Sequence, residues 1–318
     1  MNAFLEELKE EIMQAVSAKD VETKRSALSA VVHTAGNIVF KRGGVLAEID
    51  LEDSTVARFV AELIKERGLS PEIGIEKGHG IVRSGYRITV SGAEAKRLFS
   101  DLELIHFEGA DITGMNRGVA PSLVDTEEKI RAYITGVFLG AGTISVPVED
   151  DRAGYHFELR LSSQEFAREV MSLLAEFDVL AKSYDRETAV SVYVKESQAV
   201  SDVLAIMEAN NAVMALQNVV VERMVKNNDN RKRNCDVANL DKSVSASGRQ
   251  IAAIERIFAR GDERKLSAEL IKTAQARVDN PLASLDTLAE LLGVSKSAVN
   301  HRLRKLVELG KEEVKKDE

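Results

Sequence analysis

The chain has 318 residues, 44% of them hydrophobic and 30% charged, with four prolines, no tryptophan and a single cysteine, Cys235. That is room for two or three domains with cores of their own; one cysteine excludes an internal disulfide and a cysteine-cluster metal site, and no apolar run approaches the length needed to span a bilayer. The net charge of −8 argues at first against nucleic acid, but it divides unevenly. Residues 223–318 carry 20 Lys and Arg against 15 Asp and Glu, a balance of +5, which leaves −13 on residues 1–222. A modestly basic C-terminal third on an acidic body is what a tethered DNA reader would look like, although solvated helix faces can leave the same imbalance.

In chain order, residues 1–21 begin with an acidic amphipathic helix from Met1 to Ile12. It lacks the basic start and apolar run of a signal peptide, which places the protein in the cytoplasm. Glu22-Thr-Lys-Arg25 opens a helix containing Leu28-Ser-Ala-Val-Val-His-Thr-Ala-Gly-Asn-Ile38, which ends at Gly36. A strand over Val45–Leu51, a helix over Thr55–Arg67, a hairpin-like Glu72–Val90 and a helix over Ala93–Leu102 follow. Glu127-Glu-Lys-Ile-Arg131 then opens a second helix, running into Tyr133-Ile-Thr-Gly-Val-Phe-Leu-Gly-Ala-Gly-Thr-Ile144. Gly136 and Gly140 let another backbone approach, and Gly142 ends the helix ahead of the β-branched pair Thr143-Ile144. A strand over Tyr155–Leu161, a helix over Gln164–Phe177, then Ala181–Val194 and Ala199–Ala209 repeat the earlier order. Two copies about 100 residues apart are too long for a solenoid repeat. They read as two fused halves, 22–110 and 125–210, of a body spanning 22–222; two ordinary α+β units with glycine-ended helices are the alternative.

Residues 223–242 read as a basic linker. Arg223, Lys226, Arg231, Lys232 and Arg233 sit among asparagines with few apolar anchors, a composition suited to DNA phosphates and equally to a solvated tether. Residues 243–318 read as a small helical domain. Ser247–Arg260 and Lys265–Val278 are amphipathic, and Asn280-Pro281 breaks the chain. Ser284 then caps a short helix with leucines at 285, 288, 291 and 292, and Gly293 supplies a left-handed turn. In the next helix, Ser295–Leu309, Val299, Leu303 and Leu306 form one buried face. This is a helix-turn-helix pattern. The opposite face offers Lys296, Ser297, Asn300, His301 and Arg304; Asn300 and Arg304 can read adenine and guanine edges, while Arg302 and Lys305 suit phosphate. A plain helical hairpin with a wet polar face is the competing reading, but Lys296–Val307 contains no acid to balance its charge.

The double glycine motif resembles the helices of LAGLIDADG homing endonucleases, in which an acid before the final glycine holds the catalytic metal. Ala35 and Ala141 stand at those positions, so the resemblance implies a pseudo-twofold α+β body with antiparallel sheets, no nuclease chemistry and no resident metal or cofactor. Strands such as Arg83–Thr89 and His156–Arg160 would form its saddle. With Asn230-Arg-Lys-Arg-Asn-Cys-Asp-Val-Ala-Asn239 and Ser295-Lys-Ser-Ala-Val-Asn-His-Arg-Leu-Arg-Lys305 included, nearly the whole chain resembles the WhiA family of bacterial transcriptional regulators. That implies double-stranded DNA as partner, nucleoid association, and roles in cell division, chromosome segregation and sporulation. It also implies, in some bacteria, action with a small WhiB-type iron–sulfur protein. Two alternatives stay open: a body that is a scaffold for division proteins or a ligand, and a residual nuclease using acids elsewhere. The five histidines lack metal-ligand spacing, Gly78-His-Gly80 reads as a hairpin tip, and Glu149, Asp150 and Asp151 read as a solvated turn.

Overall fold

A computed structural model describes residues 3–41, 44–76, 85–109, 111–147 and 154–311. Arg83, the Gly78–Gly80 turn and the acids at 149–151 lie outside them. The chain forms two compact units, residues 1–222 and 223–318.

The first unit opens with α1 (Ala3–Ser17) and α2 (Val21–Ala35). Asp20 starts α2 by accepting the backbone N–H groups of Glu22 and Thr23, satisfying donors that have no partner within the helix. β1 (Gly36–Lys41), β2 (Gly44–Leu51), α3 (Ser54–Glu66), β3 (Glu72–Glu76), β4 (Gly85–Ser91) and α4 (Gly92–Asp101) complete the first half. A small hairpin, β5 (Ile105–Glu108) with β6 (Asp111–Met115), precedes the second half. That half consists of α5 (Glu127–Ala141), β7 (Gly142–Ser145), β8 (His156–Leu161), α6 (Gln164–Ala175), β9 (Lys182–Asp185), β10 (Val190–Val194) and α7 (Ser197–Ile206). The sheets run β1-β2-β4-β3 and β7-β8-β10-β9, antiparallel throughout, so the same topology occurs twice.

α2 and α5 pack together at the centre. A Cβ on Gly136 would overlap the carbonyl oxygen of Ala27, and one on Gly140 would overlap the Thr34 hydroxyl. Both motif helices end alike, with Gly36 at φ −93°, ψ 147° and Gly142 at φ −94°, ψ 148°. These are extended conformations open to any residue; glycine is needed for room. Added Cβ atoms would strike Val32 and Phe138, one helical turn back. Period-two alternation buries Val45, Ala47, Ile49 and Leu51 of β2, and Phe157, Leu159 and Leu161 of β8, beneath the helices.

α8 (Asn210–Ala259) is fifty residues long. Its first amides, Asn211 and Ala212, donate to the Glu11 carboxylate at 2.7 and 3.1 Å. Residues 223–242 lie inside this helix and are not an irregular segment. No proline interrupts α8 and Gly248 is its one glycine, so Asn, Lys and Arg cost only modest helix propensity. The segment lacks an apolar stripe wide enough to announce a helix, because most of its side chains are exposed on every side. The helix expected over Ser247–Arg260 is its C-terminal part.

A 3-10 turn (Asp262–Lys265) leads to α9 (Ala268–Asp279), started by Ser267; α10 (Leu285–Leu292) and α11 (Lys296–Leu309) follow. Ile254 and Ile257 of α8, Leu270 and Ala274 of α9, Leu288 of α10, and Val299, Leu303 and Leu306 of α11 form one buried cluster. The body is α+β and the C-terminal domain is helical.

Candidate nucleic-acid interface

The turn between α10 and α11 is built by local chemistry. Ser284 Oγ accepts the N–H of Thr287 at 3.1 Å, and Ser295 Oγ accepts that of Ala298 at 3.2 Å. Gly293 adopts φ 63°, a left-handed conformation that costs glycine nothing. Val294 N–H returns to the Ala289 carbonyl at 3.0 Å, closing the C-terminus of α10. Upstream, buried Arg277 donates from Nη1 to the Ala283 carbonyl (2.7 Å), and Ser247 Oγ donates to the Pro281 carbonyl (2.5 Å). These two bonds fix the segment entering α10. Burial lowers the pKa of the Arg277 guanidinium, and nothing in the local sequence marks this residue as internal.

With Val299, Leu303 and Leu306 buried, a turn of about 100° per residue places Ser297, His301, Arg304 and Lys305 on the opposite side, where all four are exposed. Glu308 shares that side one turn beyond Arg304. Asn300 is half-buried at one flank of the helix and Arg302 at the other. Arg302 Nη2 pairs with Glu269 Oε2 on α9, and Lys296 Nζ with Asp286 Oδ2 on α10, both at 2.7 Å. Arg304 and Lys305 make no ion pair among the described residues. Neither Glu269 nor Asp286 was anticipated, since both pairs join separate helices.

The helical state of 223–242 redistributes its charge. Arg231, Lys232 and Arg233 are consecutive and exposed, so they point about 100° apart. Arg223, Lys226 and Arg233 fall on one side of α8, and Arg231 falls on another with Lys242 and Arg249. One DNA surface cannot meet all five of the expected contacts at once.

In the body, Gly140, Ala141 and Gly142 border a cleft of about 450 Å³ that also meets Thr34, Lys9, Arg160 and the carboxylates of Asp50, Glu52, Asp53 and Glu158. Three of these acids are engaged. Asp53 caps α3 and pairs with Lys9 at 3.1 Å. Asp50 holds Arg87 at 2.6 Å. Glu158 is pushed up by burial, but hydrogen bonds from Ser191, His156 and Tyr184 and the charge of Arg186 outweigh this and hold it at about 2. No group of three or more His, Cys, Asp or Glu able to hold a metal is found among the described residues. His33 is stacked on Phe166 with ring centroids 3.9 Å apart, and its Nδ1 lies 3.3 Å from the Tyr133 hydroxyl. Burial drives its pKa down to about 4.

The two sheets differ on their outward faces. Arg87 of β4 is enclosed by Asp50 (2.6 Å), Glu76 (2.8 Å) and Glu48 (3.5 Å). On β8, Arg160 is exposed and makes no ion pair among the described residues.

Residues 130–226 match the family model of the WhiA LAGLIDADG-like domain, and residues 230–310 match that of the WhiA C-terminal HTH domain. The chain is 33% identical over 315 residues to the "Probable cell division protein WhiA" of Thermoanaerobacter pseudethanolicus, covering 97% of both chains. It is 31% identical to the protein of the same name from Clostridium botulinum, covering 98% of both. Among solved structures, full-length DUF199/WhiA from Thermatoga maritima shares its fold, with a TM-score of 0.59, 22% identity, and coverage of 96% of this chain and 97% of that one. Sequence and fold therefore agree along nearly the whole length: the chain belongs to the WhiA family.

Proposed function

We propose that this protein is a sequence-specific, DNA-binding transcriptional regulator acting in cell division. In this reading α11 enters the major groove, Asn300 and Arg304 meet base edges, and Ser297, His301 and Lys305 bind nearby. Lys296 and Arg302 join them by exchanging Asp286 and Glu269 for phosphate. Of Arg223, Lys226, Arg231, Lys232 and Arg233 on α8, those on the side of the helix that faces the duplex supply phosphate contacts. The observation that carries this is the acid-free exposed surface of α11 from Ser297 to Lys305, on a helix anchored by Val299, Leu303 and Leu306. The body is a domain without nuclease chemistry, and the name its relatives carry, probable cell division protein, supports a division role. Chromosome segregation, sporulation control, nucleoid association and a WhiB-type partner rest on the family resemblance.

Genome-wide occupancy and transcript levels, compared between the native chain and an Asn300→Ala/Arg304→Ala variant, test this. Loss of discrete occupied sites together with altered expression of the adjacent genes is the expected result. Unchanged occupancy would remove α11 from the reading role. One observation favours a protein- or ligand-binding role for the first half of the body: the only described arginine on its outward sheet face, Arg87, is surrounded by carboxylates, which repel DNA phosphates.

A further inference from the structure

The outward face of the second sheet carries chemistry that a groove-reading helix does not require. Alternation along β8 and β10 turns Phe157, Leu159, Val190 and Val192 into the core. It sends Glu158, Arg160 and Tyr193 to the other side, where Tyr184 of β9 joins them. Tyr184 and Tyr193 occupy diagonal cross-strand positions, with ring centroids 5.5 Å apart in an edge-to-face arrangement. Each ring is covered by a cation: Arg186 lies 5.1 Å from the centroid of Tyr184, and Lys195 lies 4.8 Å from that of Tyr193.

Glu158, the carboxylate within this group, is already committed. It accepts hydrogen bonds from Ser191 (2.6 Å), Arg186 (3.0 Å) and Tyr184 (3.2 Å), and its second oxygen lies 2.9 Å from His156 Nε2. The face therefore offers two rings on a strand platform with cations around them. The corresponding face of the first sheet differs. Among its described residues, β2, β3 and β4 direct Glu48, Asp50, Glu72, Glu76, Arg87 and Thr89 outward, with no aromatic ring.

Duplex DNA hides its base faces in the stack, whereas unpaired bases expose them. Tyrosine rings on a sheet can accept those faces, and the displaced cations can move to the phosphates. We propose that this face binds single-stranded DNA, with bases stacked on Tyr184 and Tyr193 and with Arg186, Lys195 and Arg160 on the backbone.

The test is fluorescence anisotropy on the full chain carrying Asn300→Ala and Arg304→Ala, which removes the base contacts of α11. The probes are a labelled thymidine oligomer of about 12 nucleotides, within the site sizes of single-strand binders, a uridine oligomer of equal length, and a hairpin duplex. The thymidine oligomer is expected to bind. Tyr184→Ala with Tyr193→Ala should weaken that binding about tenfold or more and leave duplex binding unchanged. The corresponding Phe pair should keep most of the affinity, because the ring faces remain. Should the Ala pair not fold, Arg160→Gln with Lys195→Gln provides the readout, lowering the salt slope by about 1.4 for two single-strand contacts. Failure of the thymidine oligomer to bind, equal affinity of the Ala pair and its parent, an unchanged salt slope, or an equal loss on the duplex would each overturn the proposal. Tighter binding of the uridine oligomer would reject the DNA assignment. Cognate-duplex binding by the native chain is measured separately, so the role of α11 stands or falls on its own.

Discussion

Gly136 of α5 lies so close to Ala27 of α2 that the Ala27 carbonyl oxygen occupies the space a Cβ would need. A backbone carbonyl cannot swing aside as a side chain can, so the helix pair tolerates no side chain at 136. Gly136→Ala should destabilise the body by about 1–3 kcal/mol through overpacking, despite alanine's better helix propensity. All five tyrosines lie within residues 1–222, so unfolding followed by tyrosine fluorescence isolates the body. Gly248→Ala on α8, with nothing within 4 Å of the added Cβ, should instead stabilise by about 0.5–1 kcal/mol, read by helical circular dichroism.

The pH dependence of the body should carry the signature of His33. Its folded pKa of about 4 lies below its ordinary value of 6.5, so between these values the unfolded chain binds a proton that the folded chain refuses. Stability is full above pH 6.5 and falls by about 3 kcal/mol as pH drops towards 4. His33→Leu should flatten the profile across that window. A slope unchanged in the variant would assign the titration to another group.

On α11, Asn300→Ala or Arg304→Ala should each cost about 1–3 kcal/mol on a cognate site and little on random DNA, as expected when a bidentate base contact is lost. The Arg302–Glu269 pair adds a sharper expectation. Glu269→Gln releases Arg302 and removes a carboxylate, so affinity for cognate and random duplexes should rise together. A rise confined to the cognate site would move Arg302 from phosphate to base contact.

Because 223–242 is helical, the Arg231→Gln/Lys232→Gln/Arg233→Gln variant should reduce the slope of log K against log salt by about 0.9–1.8, representing one or two phosphate contacts. A flexible basic segment would give about 2.7 from three. Titrations of one duplex over a series of salt concentrations distinguish the two. The larger value would mean that this stretch of α8 unwinds on DNA.

Purified protein should not nick supercoiled plasmid in Mg²⁺ or Mn²⁺. In-line hydrolysis at a two-metal site needs carboxylates holding the ions about 4 Å apart; Ala35 and Ala141 offer none, and Asp50, Asp53 and Glu158 are engaged by Arg87, Lys9 and Arg186. Nicking that Ala141→Lys abolished would establish a working site. Ala141→Asp alone should not create one, because Asp50, Asp53 and Glu158 remain tied and only Glu52 of the cleft's acids is left outside an ion pair among the described residues.

The sequence by itself determined whatever depends on neighbours along the chain. Ser284, Gly293 and Ser295 announce α10, its turn and α11, because caps and a left-handed glycine act within a few residues, and the 3.6-residue spacing of Val299, Leu303 and Leu306 marks the buried face. The duplicated order of elements and the identities of Ala35 and Ala141 are legible in the same way. Tertiary structure decided the rest. Gly142 looked like a residue chosen for its backbone freedom, but it is extended and serves to clear Phe138. The helical state of residues 223–242 was not legible because a helix exposed on all sides has no apolar stripe to declare it, and winding them into α8 separated charges that are adjacent in sequence. Arg302 looked free until α9 brought Glu269 to it across 33 positions, and Arg87 looked like a saddle residue until three carboxylates from β2 and β3 closed around it. Nothing in the order of residues placed Tyr184 beside Tyr193 either: strand register did, because pairing across a sheet depends on contacts that no local periodicity encodes.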